Sequence, residues 1–175
     1  MTLSTTPTSE LVSRAVRALV ARGSQLDGTV VIPGNDPHPA PQQLYATVLL
    51  YNSVTRGLYQ TIEGQDADEV QVYVGSTFSV QWYRSGAVEA GTRFRMWCET
   101  PDAADEMVRH GFLYVRCGSL RRLDAVISSN YEERAALDLE LLHVQRQTTD
   151  RVPIEGVDLR VDANDVSEEA NIDGS

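Results

Sequence analysis

Between Leu120 and Thr149 the chain reads LRRLDAVISSNYEERAALDLELLHVQRQTT, a polar lead-in running straight into a long two-residue alternation. Ala135, Leu137, Leu139 and Leu141 fall on one side of that period, and Asp138 and Glu140 fall on the other. Successive side chains of a strand point to opposite faces, so the pattern predicts a strand buried on one face only. The strand does not stop with its leucines, because Gln145, Arg146, Gln147, Thr148 and Thr149 carry it on in polar residues. Such an extension predicts pairing or contact beyond the domain's own core, since an open strand edge is a template for another chain. It points to an assembly part rather than an enzyme.

The rest of the chain supplies the partners for that strand. Thr8 or Ser9 can cap a helix with Glu10 in its first turn. Leu11, Val12, Ala15, Val16, Leu19 and Val20 make its apolar stripe, Arg14, Arg17 and Arg22 lie off it, and Gly23 ends it. Val30 to Ile32 reads as a short strand, and the prolines and Asn-Asp pair of PGNDPHPAP forbid a helix there, which leaves a long exposed loop, either a contact surface or a connector. Leu44 to Ser53 is a strand, and Glu63 to Glu69 (EGQDADE) is a hairpin tip or insertion. Val70, Val72 and Val74 alternate, Gly75 and Ser76 interrupt, and Phe78, Val80 and Trp82 resume, giving either a hairpin or one bulged strand. Ala87 to Glu99 is helical with Ala90, Phe94 and Trp97 or Cys98 inward; Pro101 opens a second helix to about His110, stopped by Gly111. Phe112 to Arg116 and Ile154 to Val161 are strands on either side of the long one.

Helices segregated from strands give an α+β fold, a two-layer sandwich of a mostly antiparallel or mixed sheet with helices packed on one face. A chain of 175 residues suits one domain with a real core. Residues 1–8 read as a flexible N-terminus, 9–161 as the domain, and 162–175, with five acids and no basic residue, as an acidic disordered tail. No run approaches a membrane span, and MTLSTTPTSE lacks a signal core, so a soluble protein made in the cytoplasm is expected.

Charge and residue usage narrow the chemistry. A net charge of −10 disfavours broad attachment to phosphates. All 15 basic residues are arginine, which removes the Walker A lysine, Schiff-base lysines and serine-lysine hydrolases. Cys98 and Cys117 are too few and too far apart for a disulfide framework or zinc knuckle and read as buried thiols. His38, His110 and His143 show no sequence-local ligand spacing, so no metal, cofactor or catalytic residue is expected. The alternative from another class is a small metal-independent hydrolase using Cys117 or a carboxylate pair.

Five segments in order carry a family resemblance: SELVSRAVRALVARG, VVIPGNDPHPAP, LYATVLLYNSV, TFSVQWYRSGAVEAGTRFRMWCE, and the long strand's block followed by VPIEGVDLRV. Across Ser9 to Val161, more weakly between Arg56 and Thr77, the chain resembles the tail-terminator (neck) proteins of long-tailed bacteriophages. The resemblance implies a non-enzymatic virion protein of the tail or neck. Six copies would form a ring that caps the tail tube, binds tail-tube protein on one face and the head-completion or connector protein on the other, and lets DNA pass through its lumen. A head-closure or connector protein, stopper or adaptor, is the nearest alternative. With the resemblance supplying most of the weight, Tyr131, Glu132, Glu133 and Arg134 are the candidate partner interface, the alternative being a solvated strand start. Arg121 and Arg122 join them as residues able to pair with those acids across a subunit boundary, or to stand as solvated loop charges.

Overall fold

A computed structural model describes residues 9–37, 39–63, 67–127 and 130–150. The expected N-terminal arm (1–8), final strand (154–161) and acidic tail (162–175), together with His38, lie outside the described residues. Helix α1 (Ser9–Ser24) leads through a 3₁₀ turn (Gly28–Val30) into β1 (Val31–Pro33). Two long strands follow, β2 (Tyr45–Ile62) and β3 (Ala67–Tyr83), then α2 (Ala87–Cys98), α3 (Pro101–Arg109) and β4 (Phe112–Cys117). Short strands β5 (Arg121–Arg122), β6 (Ala125–Ile127) and β7 (Asn130–Glu132) precede β8 (Arg134–Asp150). The main sheet runs β1-β2-β3-β8-β4 with β5 added on β8, and β6-β7 form a separate hairpin. Among the described strands only the β1–β2 pair is parallel, so the sheet is mixed and mostly antiparallel as expected.

The alternation in β8 does what its period predicts. Leu137, Leu139 and Leu141 are fully buried and lie opposite Val80, Phe78 and Ser76 of β3. From β2, Ala46 and Val48 meet Trp82 and Val80 on the same face. Onto this face α1 lays Val12, Val16, Leu19 and Val20, α2 lays Ala90, Phe94 and Cys98, and α3 lays Ala103 and Met107. Leu11, expected in the α1 stripe, is instead 52 % exposed at the helix start. Trp82 sits at the centre, packed on Phe94 with ring centroids 5.7 Å apart and its indole N–H donating to Ser24 Oγ at 3.0 Å. The buried indole polar atom is thereby satisfied inside the core.

Five local expectations are corrected. Gly23 does not end α1, which runs on through Ser24. A Cβ at Gly23 would lie 2.4 Å from Trp97 Cε3, so the residue is glycine because α1 and α2 cross there with no room for a side chain. Val30 belongs to the 3₁₀ turn rather than the strand, with Asp27 Oδ1 accepting from Thr29 N at 2.8 Å to cap it. β3 is one unbroken strand through Gly75 and Ser76, in register with β8 from Ala67↔Asp150 to Tyr83↔Arg134. The irregularities lie in β2, between Leu50 and Asn52 and between Arg56 and Gln60. β2 continues to Ile62, nine residues beyond its expected end at Ser53, and Glu69 is paired rather than part of the hairpin tip. The helix signals around Pro101 hold: Thr100 Oγ1 accepts from Ala103 N, and Gly111 follows α3 at φ +79°.

Candidate functional site

The central strands outrun the helices that cover them. Beyond Leu50, residues 51–62 of β2 are all exposed, and β3 and β8 accompany it to Ala67 and Asp150. From Ala67 to Thr77 this three-stranded arm spans about 35 Å at the usual rise of a strand. β1 pairs with β2 only at Ala46 to Val48, and β4 pairs with β8 only at Leu139 to His143. Among the described residues, no strand pairs with the outer edge of β2 past Val48 or with that of β8 past His143. Open edges of this length are normally blunted by charge or proline. The β2 edge instead exposes Tyr51, Val54, Leu58, Tyr59 and Ile62, with Leu58 88 % exposed. Gly57, at φ +82°, lies within the irregularity between Arg56 and Gln60, beside the exposed Leu58 and Tyr59.

At the root of the arm, polar groups replace the leucine core. Ser53 Oγ lies 3.1 Å from Ser76 Oγ, which lies 3.0 Å from His143 Nε2, so one side chain from each of the three strands joins a single chain of hydrogen bonds. Phe112 meets the His143 ring edge-on at 6.0 Å. Burial pushes the His143 pKa below its ordinary value, which keeps the ring neutral. A serine bonded to a histidine invites a catalytic reading. Yet Ser76 is 1 % exposed in the middle strand and shares its hydroxyl between two partners, so the trio acts as a cross-strand tie. On the helix-free face beside it, Gly75 floors a concavity of about 420 Å³ walled by Val54, Arg56, Val115, Glu140 and Leu142.

The candidates chosen from sequence gather at the other end of the sheet, and their side chains divide into two groups. Glu132 is buried 2.9 Å from Arg84 Nη1, and Arg134 Nε donates to it at 2.8 Å. Arg134 also stands over the Tyr83 ring, itself stacked on Tyr45 at 4.7 Å. Glu133 accepts from Gly86 N at 3.0 Å and from Val88 N at 2.9 Å, capping α2 where Gly86 has no side chain to do so. These three residues are engaged within the chain. Tyr131, 62 % exposed, donates to Asp124 and accepts from Arg122 Nη2 at 2.7 Å. The Tyr131 hydroxyl bond, ahead of the Arg122 pair, holds the Asp124 carboxyl below its usual range. Arg121 pairs with Asp138 on β8 at 3.2 Å. Val126, opposite Tyr131 in the β6–β7 hairpin, and Leu123 just before it are also exposed, apolar residues without a signal in the sequence pattern.

The remaining catalytic candidates stay apart. His110 ends α3 with Nε2 3.6 Å from Glu106 Oε1, the helix-terminal placement expected of it. Cys98 is buried and Cys117 half-buried, and their thiols are hydrogen-bonded to each other rather than to a histidine. Among the described residues no group of three or more His, Cys, Asp or Glu side chains is placed to hold a metal, and no helix is long and apolar enough to cross a membrane.

A family model described as phage neck terminator protein matches residues 10–169. No curated protein matches the chain.

Proposed function

This chain belongs to the phage neck terminator family, and from that premise we propose that it closes into a ring, six copies as its resemblance implies, that ends the tail tube and joins it to the head-side connector. A structural role in the phage neck or tail follows from the family itself. The ring, its copy number and its two faces are our reading, as are the tail-tube and connector partners and the passage of DNA through the lumen. The observation that carries it is the arm, whose apolar β2 edge no other described strand covers.

A closed ring of like subunits needs two unlike surfaces on each copy, repeated head to tail. The chain offers two, far apart along its sheet: the arm with Leu58 and Tyr59, and the β6–β7 hairpin with Val126 and Tyr131. In this reading the arm of one copy seats on the hairpin end of the next, and Arg122 and Tyr131 contribute at the rim. Apolar anchors supply the affinity, and neighbouring arginine-carboxylate pairs set register.

The test is a mixing experiment. A variant with Leu58→Ser and Tyr59→Ser keeps a hairpin, and one with Val126→Ser and Tyr131→Ala keeps an arm. Neither closes a ring alone, and the mixture stops at a pair by light scattering, because only one good interface remains. Two variants that each still form full rings, or a mixture that goes on to larger assemblies, would remove the arm-to-hairpin contact. Electron microscopy of the wild-type chain with tail-tube assemblies separates terminator from connector, since a connector ignores tube ends.

A further inference from the structure

We propose that Cys98 and Cys117 form a reactive dithiol that closes into an intramolecular disulfide on meeting a small-molecule disulfide, locking the end of α2 to the end of β4. The geometry is independent of the phage reading. Ala90, Phe94 and Cys98 succeed one another on the buried face of α2, so the helix delivers its last side chain into the core. Cys117 ends β4 opposite Leu139 and packs against the same core cluster. Tyr114 ties the two ends together. Its hydroxyl accepts from Cys117 N at 2.9 Å and donates to Glu99 Oε1, next to Cys98, at 2.8 Å. One phenolic oxygen thus joins the Cys117 backbone to the side chain of Glu99, the residue after Cys98, and the two thiols lie beside each other.

The pair is asymmetric in a way that suits exchange. Cys117 is half-buried and Cys98 is buried, so a reagent reaches Cys117 first. The bond from the Cys98 thiol, and then the nearby Arg95 charge, favour a thiolate at Cys117, whereas Cys98 is held protonated. The Cys117 thiolate attacks one sulfur of the reagent, breaks its S–S bond and expels one thiolate. Cys98 then gives its proton to solvent and attacks Cys117 Sγ, forming the internal S–S bond and expelling the second thiolate. The chain loses two electrons and two protons, and the reagent is reduced to two thiols. The closed loop contains all of α3, so oxidation ties α2, α3 and β4 into one covalent unit and restricts the unfolded chain.

The experiment treats the reduced full chain with oxidised glutathione, blocks remaining thiols under denaturing conditions, and reads intact mass, linked peptides and melting temperature. The expected result is loss of both alkylatable thiols, a mass lower by two hydrogens, a linked Cys98–Cys117 peptide pair, and a raised melting temperature that returns to its starting value on reduction. Cys98→Ser should stop at a glutathione adduct on Cys117. A wild-type chain that also stops at that adduct, that links to a second chain through Cys117, or that keeps both thiols alkylatable overturns the proposal.

Discussion

The body and the arm are made from the same three strands, yet they are held by different forces. In the body, Phe78, Val80, Trp82 and the leucines of β8 are sealed under three helices, and their fit decides whether the chain folds. In the arm, β2 has no covered face, and the strands are held by their ladder, by Val72 and Val74, and by the Ser53–Ser76–His143 tie. Burial drives folding, so apolar side chains left in water at Leu58, Tyr59 and Ile62 contribute little to it. The difference separates what holds the fold from what the proposed ring would use for contact. Substitutions in the body should unfold the chain, and substitutions on the arm's edge should leave it folded but unable to assemble.

The largest effect should come from the body. Trp82→Ala removes the central ring and its bond to Ser24 and should cost about 3–5 kcal/mol in denaturant melts; a loss no larger than that of an arm substitution would break the contrast. At the boundary, Ser76→Ala leaves Ser53 and His143 without their shared partner and should cost about 1–2 kcal/mol. Hydrogen exchange should place the resulting loss of protection in residues 67–77 and 142–148 rather than under the helices.

Acid should act at the same boundary and more gently. The folded His143 pKa lies below its ordinary value of 6.5, so between the two the unfolded chain binds the extra proton. The neutral-ring contribution is whole above pH 6.5 and is lost as pH falls toward the folded value. His143→Gln should flatten that part of the stability profile, followed by melts across the range. The smallest stability effect belongs to Leu58→Ser with Tyr59→Ser, within about 0.5 kcal/mol of wild type.

The body was legible in the sequence because burial writes a period into it. The alternation from Ala135 to Leu141, the stripe of α1 and the Thr100–Pro101 start of α3 each follow from one buried face or one cap. Of the arm, the polar run of β8 to Thr149 and the alternation at Val70, Val72 and Val74 were legible, but β2 past Ser53 was not, because residues 51–62 bury neither face and so carry no alternation, and only their pairing with β3 reveals a strand. The interface candidates show a second limit. Glu133 caps a helix 45 residues away, and Glu132 is buried between two arginines, roles set by tertiary placement that local patterning around Tyr131 does not encode. Gly23 and the contact of Cys98 with Cys117 are hidden for the same reason, since each is fixed by where two helices or a helix and a strand come to lie.

The most direct measurement is the solution mass of the wild-type chain and of the Leu58→Ser, Tyr59→Ser variant by light scattering, alone and with tail-tube assemblies, beside their melting temperatures. The account predicts equal melting temperatures, a ring for the wild type in solution or at tube ends, and a folded variant that stays monomeric in both settings. A variant that melts like the wild type and still assembles like it would contradict the claim that the arm is the contact surface.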